Sequence, residues 1–334
     1  MSKTIRPILP TLPHLQIKTP FRFLSIGECM VEMAPTAAVG EYQIGFAGDT
    51  FNTAWYMRQL RPDVFTRYFS RVGQDAVSDS MLDMMQEAGI DVTHIGRSAN
   101  YSVGLYLISL KDRERSFSYW RDSSAARQLS QNPAEIKAAL KGIGLAYFSG
   151  ITMAILDDAG RATLLKILSE ARAGGTIIAF DSNLRPRLWT NETDMRAAIM
   201  AAAEISDIVL PSFEDEATYF GDKSIEATAE RYRNAGAKSV IVKNGGGAIY
   251  FTHDGGAGLV TPPKGKRIVD TTAAGDSFNA GIFAGLDRAK SMEDLIEFAS
   301  QISGQVIEQK GALVPLNFGI AESKEGTRLT AEGR

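Results

Sequence analysis

The chain has 334 residues, of which 44% are hydrophobic and 22% are charged, as is typical of a folded globular protein. Its 36 Lys and Arg residues stand against 39 Asp and Glu residues, so no basic excess indicates a nucleic-acid or membrane partner. A single cysteine, Cys29, excludes an internal disulfide, and the three scattered histidines lack the spacing of zinc ligands. We therefore expect a cytoplasmic protein with no nucleic-acid or membrane partner.

Both ends of the chain are predicted to be irregular tails. Residues 1–22 contain four prolines and lack the apolar segment of a signal peptide. Residues 321–334 are polar and charged. Between them, residues 23–320 are predicted to form one α/β domain with an inserted sheet, and no stretch in the chain is apolar for the length of a membrane span.

Short strands near the start of the chain divide into two kinds. The apolar run Phe23 to Gly27 predicts a first central strand. Weakly alternating segments at 30–46, and two more within 102–122 that flank a charged turn, predict partly exposed strands. We interpret the latter as a small β-sheet lid, which would keep water from a reaction beneath it, although a sheet that serves only dimerisation has the same pattern.

Helical and strand patterns follow the first lid segment. Asp49 or Thr50 is predicted to cap a helix that carries Asn52 in its first turn. Residues 66–72 read as one strand, and residues 76–88 as a helix.

The second half of the chain has a regular strand and helix alternation, which predicts a doubly wound, mostly parallel sheet flanked by helices. In such sheets ligands bind beyond the carboxyl ends of the strands, so the residues that follow each strand are candidate site residues. The apolar runs are 145–148, 176–180, 208–210 and 240–242, the helical stretches are 157–173, 191–204 and 226–235, and the polar segments after strands are 149–150, 181–183, 211–212, 243–245 and 270–271.

The stretch V-D-T-T-A-A-G-D-S-F-N, from Val269 to Asn279, predicts the end of a strand, a turn and the start of a helix. A helix start presents unpaired amides and the positive end of the dipole, so it can hold a phosphate. Small residues at Ala273, Ala274 and Gly275 permit close approach, and Asp276 is placed to accept a proton from an attacking hydroxyl. An ordinary helix cap with a first-turn acid remains the alternative.

This stretch resembles the C-terminal signature D-T-x-G-A-G-D-x-F of the PfkB, or ribokinase-like, carbohydrate kinases, with Ala273 where the family usually has glycine. The segment A-G-D-T-F-N-T, from Ala47, resembles the family's sugar-binding G-G-x-x-x-N segment. The resemblance implies a ribokinase-like fold, ATP as phosphoryl donor, Mg²⁺ and, as in some relatives, a monovalent cation near the signature.

Two arginines suggest an acidic substrate. Tyr119 and Arg121 are predicted to share one strand face, where the arginine can bind a carboxylate and the tyrosine a hydroxyl. Arg185 follows a central strand and offers a second positive group. The alternatives are a solvated surface arginine at Arg121 and, at Arg185, an arginine paired with a nearby acid.

Five separated segments agree in order with the acid-sugar kinase branch of the family. This resemblance implies ATP-dependent phosphorylation of 2-keto-3-deoxygluconate at its 6-hydroxyl, with Asp276 as the base. The implied substrate-binding residues are Gly48, Asp49, Asn52, Tyr106, Tyr119, Arg121, Arg185 and Asp276.

The nucleotide site is predicted from the strand end and glycine-rich turn at 243–247, because glycine lets a nucleotide approach the backbone. A plain hairpin turn explains the same glycines, and no Walker A motif occurs. The resemblance implies nucleotide contacts at Lys243, Gly245, Gly247, Thr272, Gly275 and Asn279. Glu216 matches the glutamate of the family's metal-linked N-x-x-E motif, with Phe213 at its asparagine position.

Two other functions remain open at this point. One is a related sugar kinase of the fructokinase or ribokinase type, and the other is a non-catalytic sugar-binding protein with the same fold. We also expect a homo-oligomer, with the lid as the candidate interface.

Overall fold

The computed structural model describes residues 17–111, 114–263 and 267–316. Their strands are β1 (Arg22–Ile26), β2 (Met30–Pro35), β3 (Tyr42–Ala47), β4 (Phe65–Phe69), β5 (Arg71–Gly73), β6 (Gly96–Ser98), β7 (Leu105–Lys111), β8 (Glu114–Trp120), β9 (Leu145–Ser149), β10 (Ile177–Asp181), β11 (Ile208–Val209), β12 (Ser239–Val242), β13 (Ile249–His253) and β14 (Gly256–Val260). Their α-helices are α1 (Asp49–Leu60), α2 (Ala76–Glu87), α3 (Pro133–Leu140), α4 (Gly150–Ile155), α5 (Asp158–Ala173), α6 (Glu192–Glu204), α7 (Phe213–Tyr219), α8 (Ile225–Asn234), α9 (Ala274–Gly285) and α10 (Met292–Val306).

A mixed, mostly parallel sheet runs through the molecule in the strand order β14-β13-β12-β11-β10-β9-β1-β4. Six neighbouring strands of this sheet pair in parallel, namely β12, β11, β10, β9, β1 and β4. The strands β13 and β14 form an antiparallel edge beside β12. The predicted doubly wound α/β fold is confirmed. Because β4 and β9 flank β1 on opposite sides, the chain reverses direction beside β1, which favours a crevice at the carboxyl ends of these strands.

Helices cover both faces of this sheet. Alternate residues of the central strands point into two cores, so Phe23 and Tyr147 pack with helices α1, α9 and α10, while Leu24 and Phe148 pack with helices α3, α5, α6 and α8. Burial on both faces explains why these strands read as continuous apolar runs rather than as alternating ones.

A second, four-stranded sheet is inserted between the elements of the main sheet, in the order β3-β2-β7-β8. Strands β2 and β3 pair in antiparallel fashion, as do β7 and β8, and β2 pairs in parallel with β7. The sequence segments at 30–46 and 102–122 thus combine into one sheet, as predicted for the lid. Its strand β3 lies at the sheet edge, with Ile44 and Tyr42 exposed.

Several boundaries differ from the sequence prediction. Residues 66–72 form two strands, β4 and β5, in different sheets, because the chain leaves the main sheet at Ser70 to pair with β6. Val269 does not end a strand; the last strand among the described residues ends at Val260. Neither Asp49 nor Thr50 caps α1, because Gly48 occupies the N-cap position without a side-chain bond.

The predicted tails lie largely outside the described residues. Residues 17–21 are irregular as expected, and residues 1–16 and 317–334 are not described. Within the described part of the chain, every helix is too short or too polar to cross a membrane.

A close backbone contact at Gly48 fixes the start of α1 against the connection between β1 and β2. A β-carbon on Gly48 would lie 2.1 Å from the carbonyl oxygen of Glu28, on the connection between β1 and β2. Since that neighbour is backbone, it cannot move aside cheaply.

We predict that Gly48→Ala lowers the free energy of unfolding by about 1–3 kcal/mol, because the added methyl overpacks this contact. Thermal or urea unfolding measures the change. Gly304→Ala in α10 is the matched control, since a β-carbon there meets no atom within 4 Å and alanine is the better helix former by about 1 kcal/mol. Equal unfolding free energies for the wild type and Gly48→Ala would contradict the packing argument.

Candidate active site

The loop before α9 is held in a defined shape. Asp270 Oδ1 accepts hydrogen bonds from the amide and hydroxyl of Thr272, at 3.1 and 2.7 Å, and Asp270 Oδ2 accepts one from the Gly311 amide at 2.8 Å. Ala273 then takes the N-cap position in the left-handed conformation, with φ 59° and ψ 15°. The first-turn amides of α9 follow, where no intrahelical acceptors exist, so an anion can bind them.

Asp276 lies in that first turn and is bound to α1. Asn52 Nδ2 donates to Asp276 Oδ2 at 2.8 Å, and the Thr53 hydroxyl donates to the Asp276 carbonyl oxygen at 3.2 Å. These residues are more than 200 positions apart in the sequence. The contacts bring the N-terminal ends of α1 and α9 together around one carboxyl group.

The pKa of Asp276 is raised from 3.8 to about 7. Burial is the main cause, and the neighbouring carboxylate of Asp49 adds to it, whereas the hydrogen bond from Asn52 opposes it. A carboxylate whose pKa lies near neutral pH is suited to act as a general base.

Gly48, Asp49 and Asn52 converge at the same place. The Gly48 amide donates to Asn52 Oδ1 at 3.3 Å, and Asp49 Oδ2 accepts from Asn183 Nδ2 at 2.7 Å. Burial raises the pKa of Asp49 as well. Asn183 follows β10 with a positive φ of 29°; its segment stood among the polar strand ends, but the sequence alone gave it no role.

Lys243 brings a positive charge to the start of α9. Its Nζ donates to Asp181 Oδ2 at 2.6 Å and lies 3.7 Å from the position that a β-carbon on Gly275 would occupy. Asp181 also accepts from Asn279 Nδ2 at 2.6 Å. Asn279 is fully buried, and its amide orients the strand-end carboxylate. Asp181 is a further residue to which the sequence assigned no role.

The glycine-rich turn connects β12 to β13 as a hairpin, in agreement with the plainer of the two interpretations of its sequence. Gly245 has a positive φ of 52° and faces open space, and Gly247 is exposed as well. The turn therefore leaves room beside Lys243, and the hairpin geometry alone accounts for its glycines.

Two tyrosines of the lid pack against each other with their ring centroids 5.9 Å apart. The Tyr106 hydroxyl donates to Glu32. Burial and that carboxylate raise the pKa of Tyr106. Tyr119 is half exposed on the facing strand. The lid thus presents an aromatic surface with one hydroxyl committed to Glu32.

The two predicted substrate arginines have different surroundings. Arg121 follows the last residue of β8 and forms a buried ion pair with Glu28, so it is neither on the strand nor solvated. Arg185 is half exposed, donates to the Leu184 carbonyl at 2.7 Å and lies 4.0 Å from Asp215. The predicted alternative for Arg185, a nearby acid, is therefore present.

Glu216 does not fit a direct metal ligand. It is fully buried, and its carboxylate accepts from Ser182 at 2.6 Å, Tyr232 at 3.0 Å and Arg231 at 2.7 Å. Burial raises its pKa. Among the described residues, no group of three or more acidic, histidine or cysteine side chains is arranged to hold a metal ion.

A cavity of about 380 Å³ lies between the lid and the loop before α9, within the range of small-molecule sites. Glu32, Gln43 and Ile108 line it on the lid side, and Thr272 and Lys310 line it on the other. The lid therefore leaves space beside the loop that precedes α9.

Comparison with known proteins places this geometry in a family context. Residues 22–317 match the family model described as pfkB family carbohydrate kinase. A 2-dehydro-3-deoxygluconokinase of Dickeya dadantii is 37% identical over 300 residues, which cover 87% of this chain and 96% of that protein.

Solved structures share the fold. A PfkB protein of Polaromonas sp. JS666 superposes with a TM-score of 0.78 at 27% identity, covering 88% of this chain and 97% of that one. A fructokinase of Xylella fastidiosa with bound ATP superposes with a TM-score of 0.76 at 22% identity, covering 87% and 93%.

The left-handed conformation of Ala273 yields a stability prediction. A β-carbon is unfavourable at positive φ, so we expect Ala273→Gly to raise the free energy of unfolding by about 0.5–1 kcal/mol. Ala274→Gly is the control, because glycine inside the helix should lower it by about 1 kcal/mol. Urea titrations compare the three proteins, and a destabilised Ala273→Gly would show that the methyl group's packing outweighs its strain.

Proposed function

The chain belongs to the pfkB family of carbohydrate kinases, and we propose that it transfers the γ-phosphoryl group of ATP to the 6-hydroxyl of 2-dehydro-3-deoxy-D-gluconate, which yields 2-dehydro-3-deoxy-6-phospho-D-gluconate. The observation that carries the proposal is Asp276 at the start of α9, which accepts a hydrogen bond from Asn52 and whose pKa is raised to about 7; both features suit a general base. The name of the Dickeya dadantii relative supports the choice of substrate.

In this reaction Asp276 takes the proton of the 6-hydroxyl as its oxygen attacks the γ-phosphorus, while the bond to the ADP oxygen breaks. Negative charge then builds on the phosphoryl oxygens. The Gly275 amide in the first turn of α9, together with the Lys243 ammonium beside it, would stabilise that charge. The Ala274 amide donates to the Thr271 carbonyl at 3.2 Å and would have to exchange this bond to take part. Ala273 shapes the turn from which these amides project.

Sugar binding is proposed for the residues that surround Asp276 and for the lid. Gly48, Asp49 and Asn52 belong to the hydrogen-bonded group at the start of α1 and offer acceptors and donors to hydroxyls. Tyr106 and Tyr119 would cover the ring or chain of the sugar from the lid. For the carboxylate of the substrate we propose Arg121 and Arg185.

ATP would lie along the glycine-rich turn at residues 243–247, on the side of α9 away from the proposed sugar site. Lys243, Gly245, Gly247, Thr272 and Gly275 are proposed to line its phosphates and nucleoside. Bound with ATP, Mg²⁺ would neutralise phosphate charge and keep several water ligands, a mode that needs no cage of protein carboxylates. The buried Glu216 would then act only indirectly, through Ser182.

Three further features belong to the proposal. A monovalent cation near Asp270 and Thr272 follows from the family resemblance, and a cytoplasmic location is based on the single cysteine. Assembly into a homo-oligomer through the lid is proposed from its exposed sheet edge.

A neighbouring activity is favoured by one observation. Arg121 is already neutralised by Glu28, so a neutral sugar, as in a fructokinase or ribokinase, is the second candidate substrate. A non-catalytic sugar-binding protein would have no need for a carboxyl group whose pKa is raised to about 7 at the start of a helix.

A coupled assay of ADP formation across a small panel of sugars tests the substrate. We expect 2-dehydro-3-deoxygluconate to be turned over with a kcat/KM at least about 100-fold above that of fructose or ribose, because only the acid sugar pairs with the two arginines. Faster turnover of a neutral sugar would support the second candidate, and no turnover of any sugar would overturn the proposed function.

The pH dependence of kcat/KM tests the base. Because Asp276 must be ionised to accept a proton, kcat/KM should rise about tenfold per pH unit below pH 7 and level off above it. Asp276→Asn should lower kcat by several orders of magnitude while the sugar still binds.

Stability provides the control for that variant. Because the pKa of Asp276 is raised, the folded protein keeps a proton on this residue between pH 4 and pH 7 that the unfolded chain has lost. The contribution of Asp276 to the free energy of unfolding therefore falls as the pH rises through this range. Asp276→Asn should therefore unfold at a higher temperature than the wild type at pH 8. If the kcat/KM of the wild type did not fall as the pH drops below 7, the assignment of Asp276 as the base would be refuted.

A further inference from the structure

A buried ion pair connects the lid to the body of the protein. Arg121 Nη2 donates to Glu28 Oε2, and the side chains are 7% and 0% exposed. Glu28 lies on the connection from β1 to the first lid strand, and Arg121 lies where the chain leaves the last lid strand. The pair thus bridges two of the places where the chain crosses between the main sheet and the lid.

The two side chains are only partly satisfied by each other. Arg121 Nε and Glu28 Oε1 are buried and have no hydrogen-bond partner. An unpaired buried polar atom is costly, so a buried donor without an acceptor often marks a place where a ligand atom belongs. The free Nε hydrogen of Arg121 is such a donor, and a carboxylate oxygen is the acceptor that suits a guanidinium best.

The surrounding backbone makes room for the pair and ties it to the site. At Gly104 a β-carbon would lie 2.9 Å from Glu28 Oε1 and 3.2 Å from Arg121 Cβ, so this glycine leaves the space that the pair fills. The Glu28 carbonyl abuts Gly48 at the start of α1. The backbone of Glu28 therefore contacts the start of α1, whose Asn52 donates to Asp276, and its side chain contacts Arg121.

An arginine side chain has four rotatable bonds and would otherwise turn toward solvent, at a cost in ligand affinity. A bond at Nη2 fixes the plane of the guanidinium and leaves its other donors for a ligand. We propose that Glu28 is a positioning residue that orients Arg121 toward the carboxylate of the acid-sugar substrate. This inference rests on the proposed function, since it assigns Arg121 to that carboxylate.

A double-mutant cycle on KM tests whether Glu28 acts through Arg121. We expect Glu28→Ala to raise the KM for 2-dehydro-3-deoxygluconate about tenfold, with kcat and the KM for ATP changed less than about threefold. Adding Glu28→Ala to Arg121→Ala should change the KM no further, because the group it positions is gone. Glu28→Gln keeps an oxygen acceptor for Nη2, so its KM for the acid sugar should stay close to that of the wild type.

Asp91→Ala is the matched control, because Asp91 is the ion-pair partner of another largely buried arginine, Arg67. It should lower stability and leave the KM for the acid sugar unchanged. If Glu28→Ala does not fold, Glu28→Asp replaces it, since the shorter side chain withdraws the carboxylate from Arg121 but keeps its charge.

Additive effects of the Glu28 and Arg121 variants, or an equal rise in the KM for ATP, would overturn the positioning role. Those results leave the proposed function intact provided that the wild type phosphorylates the acid sugar. Absence of wild-type turnover on that sugar would instead refute the proposed function.

Discussion

The site depends on the contact between the N-terminal ends of two helices that are far apart in sequence. Asn52 of α1 donates to the carboxylate of Asp276 of α9, and Thr53 secures the Asp276 backbone. This contact determines where the carboxylate points and, with burial and the nearby Asp49, what its pKa is. The main sheet and the core on one of its faces hold these helices side by side, since α1 and α9 pack into that same core.

Charge in the site is compensated locally. Lys243 pairs with Asp181, Arg121 with Glu28, and the carboxyl of Asp276 is protonated through much of the acidic range. Such pairing lets charged groups remain in a partly dry crevice at a tolerable desolvation cost. It also fixes the orientation of these side chains, and pre-oriented groups lower the entropy cost of binding a ligand.

The lid contributes shape more than charge. It presents an aromatic surface, and its crossings to the body are joined by the buried pair of Glu28 and Arg121. The entry of the chain into the lid lies next to α1, because Glu28 on that connection abuts Gly48 at the start of the helix. The lid connection and α1 are therefore closely packed against each other.

Local pattern alone determined much of this protein. Apolar runs that alternate with helical stretches predicted the parallel sheet, and small residues before Asp276 predicted the turn that opens α9, because period, helix starts and glycine preferences are properties of neighbouring residues. Pairings across the fold were decided by tertiary structure. The sequence showed neither the partner of Arg121 nor the burial of Asn279 and Glu216, since these depend on residues brought together from distant positions. The pKa of Asp276 was likewise set by desolvation and by Asp49, which only the folded chain places beside it.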